Sequence, residues 1–140
     1  MQQIWIWYPV LGMALLTFYI GMRVAMLRVK AVREDGLRPA YFLLNRGGKP
    51  PEYLIKMTHQ YENLFELPIL FYLGVGIVFM LNRVDYGYLL LAWSYFVLRI
   101  VHAYIHTTYN RLRHRRSVFL FSALILMIFW VRLAIELILS

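Results

Sequence analysis

The run IWIWYPVLGMALLTFYIGM, residues 4–22, has no charged residue in 19 positions. At 1.5 Å per helical residue it is about 28 Å long, which matches the ~30 Å hydrocarbon core of a bilayer. Trp5, Trp7 and Tyr8 stand at its start, where the aromatic belt of a membrane protein lies. No basic segment precedes the run and no small-residue cleavage site follows it. We therefore expect a retained transmembrane helix rather than a signal peptide.

The composition extends this interpretation to the whole chain. Of 140 residues, 61% are hydrophobic and 16% are charged, and there is no cysteine. A soluble domain of this size has too much surface for its volume to bury so many apolar side chains. These numbers exclude a disordered chain, a disulfide scaffold and a cysteine-based zinc or thiol site. The net charge of +8 does not indicate a nucleic-acid partner, because the basic residues are confined to short stretches between apolar runs.

Three further apolar runs complete a predicted bundle of four transmembrane helices. They cover residues 67–81, 86–98 and 117–131, and each is too short alone to cross a bilayer. Extending them through neighbouring polar residues gives a single all-α membrane domain over residues 1–140. Its expected spans are about 4–27, 58–82, 86–110 and 117–139. Three of the four spans then carry ionisable groups into the membrane, which is costly and typical of polar sites.

Basic residues are distributed unevenly among the predicted loops. The first loop contains seven, the second one and the third four, whereas the segments before Ile4 and after Glu136 contain none. Positive charge is retained on the cytoplasmic side, so we expect the first and third loops in the cytoplasm and both termini outside. The residues of the first loop are Arg28, Lys30, Arg33, Arg38, Arg46, Lys49 and Lys56, and those of the third are Arg111, Arg113, Arg115 and Arg116.

Polar residues of the second and third spans form two stripes at similar depth. Asn63 and Glu66 are three residues apart on one span, and Arg99, His102 and His106 follow with helical spacing on the next. Such groups face the interior of a bundle. The stripes form either a packing seam in which Glu66 pairs with Arg99, or a pocket for a polar, anionic ligand that opens to the cytoplasm.

The same residues have the spacing of other kinds of site. His102 and His106 are four residues apart, as are two ligands of one metal ion on a helix, and Glu66 is a candidate third ligand. No H-E-x-x-H motif is present, so we assign no metal site. A proton relay through Glu66, Arg99 and the histidines is a further alternative, but it would need more carboxylates than these residues supply. Near the outer end of the fourth span, Arg132 and Glu136 are expected to pair within the helix.

The segments NLFELPILFY, residues 63–72, and RIVHAYIHTTYNRLRHR, residues 99–115, resemble the MAPEG superfamily, the membrane-associated proteins in eicosanoid and glutathione metabolism. The bacterial branch is the most similar, and the resemblance covers nearly the whole chain. It implies a homotrimer of four-helix protomers in a bacterial inner membrane, with both termini in the periplasm. It also implies glutathione as the cosubstrate, bound in a cleft between protomers that faces the cytoplasm.

The resemblance assigns residues to that cleft. Asn63 and Glu66 match the family's glutathione-binding pair, in which the carboxylate holds the ammonium of the glutamyl part. Arg99 and His102 match an arginine and a histidine of the same cleft. All four are therefore predicted to bind glutathione.

Arg115 or Arg116 matches the catalytic arginine that stabilises the glutathione thiolate in the family. The chain departs from the family pattern at two positions. Glu62 stands where an arginine is common, and His106 stands where a tyrosine is usual, with Tyr109 as the nearest substitute. We include His106 and Tyr109 among the predicted glutathione-binding residues.

Two main functions are compatible with these residues. The first is a glutathione-dependent transferase or peroxidase that acts on lipophilic small molecules dissolved in the bilayer. The alternative is a non-catalytic subunit that binds lipid or assists a larger membrane complex, because the family includes a lipoxygenase-activating protein. A purely structural trimer beside a larger complex is a third possibility.

The charge distribution predicts the topology of the chain. A reporter that is active only in the periplasm, fused after Ser140, is expected to be active, and one that is active only in the cytoplasm is expected to be silent. The reason is the count of seven, one and four basic residues across the three loops. Activity of the cytoplasmic reporter at this position would contradict the orientation.

Overall fold

The computed structural model describes residues 2–139, and this part of the chain is helical, with no strand. A short 3-10 helix, Gln3–Ile6, leads into the first α-helix. The α-helices are α1 (Trp7–Arg33), α2 (Tyr41–Leu44), α3 (Glu52–Asn63), α4 (Leu67–Met80), α5 (Tyr86–Thr107) and α6 (Leu112–Ile138).

Four helical segments are long and apolar enough to cross a membrane, which confirms the predicted all-α membrane bundle. They cover Gln3–Arg33, Glu52–Met80, Tyr86–Thr107 and Leu112–Ile138. Many large apolar side chains remain on the outside of the protomer; Phe18, for example, is 75% exposed and Met80 is 80% exposed. Such an exterior is suited to lipid or to another subunit. The homotrimer stays a prediction.

The helix bounds differ from those expected at the polar ends of the spans. The first helix continues to Arg33 rather than ending near residue 27, so the first linker shortens to residues 34–51. The third spanning helix ends at Thr107, and the fourth begins at Leu112 rather than near residue 117. Arginine has nearly the helix propensity of leucine, so arginine-rich segments extend a helix beyond the hydrocarbon. Arg113, Arg115 and Arg116 are thus helical residues and not loop residues.

The second spanning segment, expected as one helix over 58–82, is interrupted between Asn63 and Leu67. Pro68 has no N–H to donate to the carbonyl of Leu64, and its ring would clash with that carbonyl in a continuous helix. The break uses turn-type bonds, from Leu64 N–H to Tyr61 O (3.1 Å) and from Phe65 N–H to Glu62 O (2.9 Å). Pro68 becomes the second residue of α4, where its missing N–H has no cost.

The core of the bundle combines aliphatic and aromatic side chains. Phe71 of α4 stacks on Tyr95 of α5, with ring centroids 4.8 Å apart, and Tyr88 of α5 contacts Phe129 of α6 edge-on at 5.0 Å. Gly74 allows the close approach of α4 to α6, because a Cβ there would lie 3.0 Å from the Phe129 ring. Helix α6 therefore packs against both α4 and α5, and the polar residues Arg99, His102 and His106 of α5 are buried inside the bundle.

The two ends of the bundle differ in charge. We call the end where α1 and α5 stop and α3 and α6 start the basic end. At the opposite end, Arg132 binds Glu136 with Nε 2.9 Å from Oε1, which confirms the predicted pair within the helix. The same guanidinium also pairs with Asp85 and lies over the Tyr88 ring, 4.0 Å from its centroid. Arg132 thereby joins α6 to the start of α5.

Asp85 begins α5 as its N-cap and accepts a hydrogen bond from the Tyr88 backbone N–H at 2.9 Å. Partial burial opposes ionisation of this carboxyl, but the hydrogen bonds from Arg132 and from the Tyr88 N–H outweigh it. The pKa of Asp85 is therefore lowered from its ordinary value. A lowered pKa in the folded state means that the ion pair stabilises the fold at neutral pH and that this contribution is lost on acidification.

Replacing Asp85→Asn tests the ion pair without removing the cap, because Asn caps a helix as well as Asp. We expect the free energy of unfolding at pH 7 to fall by about 1 kcal/mol, since the pair is half-exposed. The difference from the wild type should vanish below the folded-state pKa of Asp85, where the wild-type carboxyl is also neutral. Thermal unfolding in detergent across a pH series from 7 down to about 2 measures both. A difference that stays the same over the whole series would contradict the assignment.

Candidate functional site

A cleft of about 450 Å³ opens between α3, α5 and α6 at the basic end of the bundle. Its volume lies within the ~300–1,000 Å³ typical of small-molecule sites. The residues that line it are His59, Glu62, Asn63, Glu66, His102, His106, Leu112, Arg115, Arg116 and Phe119. Six of the eight predicted site residues are among them.

The wall formed by α3 is acidic. His59, Glu62 and Asn63 lie on the last turns of this helix, and Glu66 follows at the break as the N-cap of α4. Residues 59, 62, 63 and 66 share one helical face up to the break. Glu62 is exposed on this face of α3, and Glu66 is exposed where the chain leaves the helical path.

The opposite wall, formed by the first turns of α6, is basic. Arg115 is half-buried, and its Nη1 donates to Asn110 Oδ1 at 2.9 Å. Asn110 adopts a left-handed conformation (φ 47°) in the turn between α5 and α6, which Asn tolerates better than most residues. Arg116 is exposed, and no carboxylate within the described residues 2–139 lies within 4 Å of its guanidinium.

Two buried histidines of α5 form the floor of the cleft. His106 Nδ1 lies 3.0 Å from Oε1 of Gln60, a residue of α3 that is completely buried. An amide oxygen only accepts, so Nδ1 of His106 carries the proton in this arrangement. The ring of His102 lies 5.7 Å from that of His106, and its Nδ1 is buried without a partner in the described structure.

Arg99 lies beneath the cleft rather than on its lining, and its side chain is completely buried. Its Nη2 donates to both the backbone O (3.0 Å) and Oδ1 (2.7 Å) of Asn63. The expected ion pair with Glu66 is not made in the described structure. The packing-seam hypothesis therefore named the wrong partner for Arg99. The break after Asn63 leaves the Asn63 carbonyl free to accept from Arg99, and it turns Glu66 toward the surface.

Tyr109, which was predicted to bind the cosubstrate, does not line the cleft. Helix α5 ends at Thr107, so Tyr109 leaves the polar face of the helix. Its side chain is 54% exposed, and its hydroxyl lies 3.2 Å from Nδ1 of His114.

The structure adds His59 and Gln60 to the site, and sequence reasoning singled out neither. The helical spacing of His59 with Asn63 and Glu66 was a usable signal. Gln60 gave none, because it lies among apolar neighbours on the buried face of α3.

The donor set of the cleft determines which ligands it fits. Carboxylates on one wall and guanidinium groups on the other suit a ligand with both an ammonium and carboxylates. No group of three or more His, Cys, Asp or Glu residues in the part of the chain that the structure describes is placed to hold a metal ion. The paired histidines of α5 thus lack a third ligand there.

Comparison with known proteins gives one match. The model of the MAPEG family matches residues 6–135, which is nearly the whole chain. No curated protein and no solved structure matches the chain significantly.

The contact between Arg99 and Asn63 is expected to stabilise the fold. Replacing Asn63→Ala leaves the guanidinium with only the backbone acceptor of that residue, and the free energy of unfolding should fall by about 1–3 kcal/mol. Glu66→Gln is the matched control, and because this exposed residue is not paired with Arg99, we expect a change below about 0.5 kcal/mol. Thermal unfolding in mild detergent measures both. Equal losses in the two variants would show that Arg99 depends on Glu66 instead.

Proposed function

Since the chain belongs to the MAPEG family, we propose that its cleft binds glutathione and that the protein is a transferase or peroxidase acting on lipophilic electrophiles. The family includes both enzymes and accessory proteins, so membership alone does not choose between them. The proposal depends on the donor set of the cleft.

The observation that supports glutathione most directly is the separation of charge across the cleft. Glutathione carries one ammonium, two carboxylates and a thiol. The acidic wall, with Glu66 exposed to the cleft, is suited to the ammonium. The basic wall, with Arg115 and Arg116, is suited to the carboxylates or to an ionised thiol. Asn63 stands between them but already accepts from Arg99, which fixes its orientation.

The arginines of α6 also account for activation of the thiol. The chain has no cysteine, so the nucleophile in this proposal comes from the ligand. A guanidinium beside a thiol stabilises the thiolate and lowers the pKa of the thiol. Arg116 is suited to this role because no described carboxylate neutralises it, whereas Arg115 is oriented by Asn110. In conjugation, the sulfur bonds to the electrophilic carbon, and the leaving group departs with the bonding electrons.

The surroundings of the cleft are suited to substrates that arrive from the bilayer. Phe119 and Leu112 give it an apolar margin beside the basic wall. Both residues belong to α6, whose outer face carries exposed apolar side chains such as Phe121 and Leu124. We propose that an electrophile dissolved in lipid approaches the cleft along this apolar side of α6.

We further propose a homotrimer in a bacterial inner membrane, with both termini periplasmic and the cleft on the cytoplasmic side. The basic end contains the arginines of α6 and the basic linker after α1, and positive charge favours the cytoplasm. The cleft lies at the surface of the protomer, where a neighbouring copy would close it.

The second candidate function is non-catalytic. In this role the protein binds lipid or serves as an accessory subunit of a larger membrane complex. An apolar groove of about 640 Å³ runs between α1 and the break after α3. Leu64, Phe65 and Ile69 line it on one side, and Phe18 and Met22 line it on the other. This groove is larger than the cleft and is suited to an acyl chain. Activity with glutathione distinguishes the two functions.

Replacing both Arg115→Gln and Arg116→Gln tests the proposed enzyme. We expect the rate of glutathione conjugation to 1-chloro-2,4-dinitrobenzene in detergent to fall roughly 10-fold or more, because a thiolate loses its cationic neighbours. Arg111→Gln with Arg113→Gln is the matched control, since it removes two charges at the start of the same helix from residues that do not line the cleft. Calorimetric titration of the wild type with glutathione supplies the second measurement. Lack of binding at millimolar concentration, with the fold intact, would refute the proposal and favour the lipid-binding role.

A further inference from the structure

The linker between α1 and α3 carries two exposed leucines at the basic end of the bundle. Leu43 and Leu44, on the short helix α2, are 81% and 76% exposed. Two exposed basic residues, Arg46 and Lys49, follow within five positions. Exposed apolar side chains next to cations are typical of segments that lie in the interfacial layer of a membrane.

Helix α2 does not project away from the bundle. Tyr41 and Phe42 pack against the small core made by Ala31, Leu37 and Leu54. The guanidinium of Arg28 on α1 lies over the Phe42 ring, 5.3 Å from its centroid. These contacts hold α2 beside the last two turns of α1.

The position along α1 places α2 at the level of the lipid headgroups. The uncharged run of α1 ends at Met22, and Arg28 lies six residues further on, about 9 Å along the helix axis. The headgroup layer begins at about the end of the uncharged run and is several ångströms deep. This distance along α1 is close to the thickness of the headgroup layer on one face, about 5–8 Å, so side chains of α2 that extend toward the level of Met22 enter that layer.

The charges of this region are unbalanced, because its basic residues outnumber its acidic ones. Glu34 pairs with Lys30 at 3.7 Å and Glu52 pairs with Lys56 at 2.7 Å, whereas Asp35 accepts from the neutral Tyr53 hydroxyl and keeps its charge. Several basic residues have no carboxylate within 4 Å in residues 2–139, and these are Arg33, Arg38, Arg46 and Lys49. The surface left by this pairing is cationic.

The backbone keeps the leucines and the cations together. Asn45 adopts a left-handed conformation (φ 52°) directly after Leu44 and ends α2. Gly47 has φ 86°, a conformation that glycine adopts without steric cost. The chain then passes close to α2 again, because a Cβ at Gly48 would lie 3.6 Å from the Tyr41 ring, so Arg46 and Lys49 flank a residue that lies beside α2.

We propose that residues 41–49 form an interfacial anchor for anionic phospholipid. Leu43 and Leu44 insert at the acyl boundary, and Arg46 and Lys49 bind the headgroup phosphates. A soluble anion would use the cations but leave the leucines in water, whereas an anionic lipid surface satisfies both. The anchor is separate from the proposed glutathione cleft and does not depend on its function.

The lack of cysteine allows a direct test, because a single introduced cysteine carries the only label. A nitroxide at Leu44→Cys is compared in nanodiscs of phosphatidylcholine alone and with a quarter phosphatidylglycerol. Phe18→Cys, in the middle of α1, gives the lipid reference, and the free label in buffer gives the aqueous one. Oxygen partitions into lipid and a polar nickel complex stays in water, so the ratio of their accessibilities at a nitroxide rises with depth. We expect this ratio at position 44 to lie several-fold above the aqueous value in phosphatidylcholine. It should rise further when phosphatidylglycerol is present.

Charge variants separate the two parts of the anchor. In Arg46→Gln/Lys49→Gln, the increase that phosphatidylglycerol causes should disappear, whereas Arg113→Gln, outside the linker, should retain it. Added salt at 0.5 M should weaken the same increase in the wild type, because headgroup attraction is screened. An aqueous accessibility ratio at position 44 in both lipids would overturn the proposal and leave the leucines as a surface for a protein partner. Persistence of the increase in the double variant would overturn the headgroup assignment.

Discussion

The bond between a buried guanidinium and a broken helix organises this protein. Arg99 is completely enclosed by the bundle and cannot reach water, so its charge needs acceptors inside the protein. The end of α3 provides two for its Nη2, because Asn63 offers both its free backbone carbonyl and its side-chain oxygen, whereas Nε and Nη1 have no hydrogen-bond partner in the described structure. A helix C-terminus carries partial negative charge and favours a cation there. Pro68 makes this possible, since without the break the Asn63 carbonyl would be used within the helix.

The cleft is a consequence of the same arrangement. The break turns Glu66 outward and leaves it exposed beside Glu62, while Arg99 holds the end of α3 against α5. The histidines on the floor lie on the same face of α5 as Arg99, and Gln60 fixes one of them from below. The arginines of α6 face this wall because α6 begins only a short turn after α5. Charges of opposite sign therefore line one space without neutralising each other, which is the condition for binding a zwitterionic ligand.

The two ends of the bundle use charge in different ways. At the opposite end, Arg132 has two carboxylate partners and joins the start of α5 to α6, so the charges there serve packing. At the basic end, several guanidinium and ammonium groups have no carboxylate partner in the part of the chain that the structure describes. Unpaired cations at one end attract anions, whether these belong to a soluble ligand in the cleft or to lipid headgroups beside the linker.

The sequence by itself determined the class of the fold, because the length of its apolar runs follows from the thickness of the bilayer alone. It also placed Asn63, Glu66 and the histidines on common faces by their helical spacing, and these residues line the cleft, whereas their binding of a ligand stays a prediction. Only the tertiary structure decided which groups are partners. Spacing gives the face of a helix but not its rotation against a neighbour or the effect of a break, so the packing-seam alternative gave Arg99 the wrong partner. Gln60 could not be found from the sequence for the same reason, because a buried polar residue is recognised only by the histidine that it contacts.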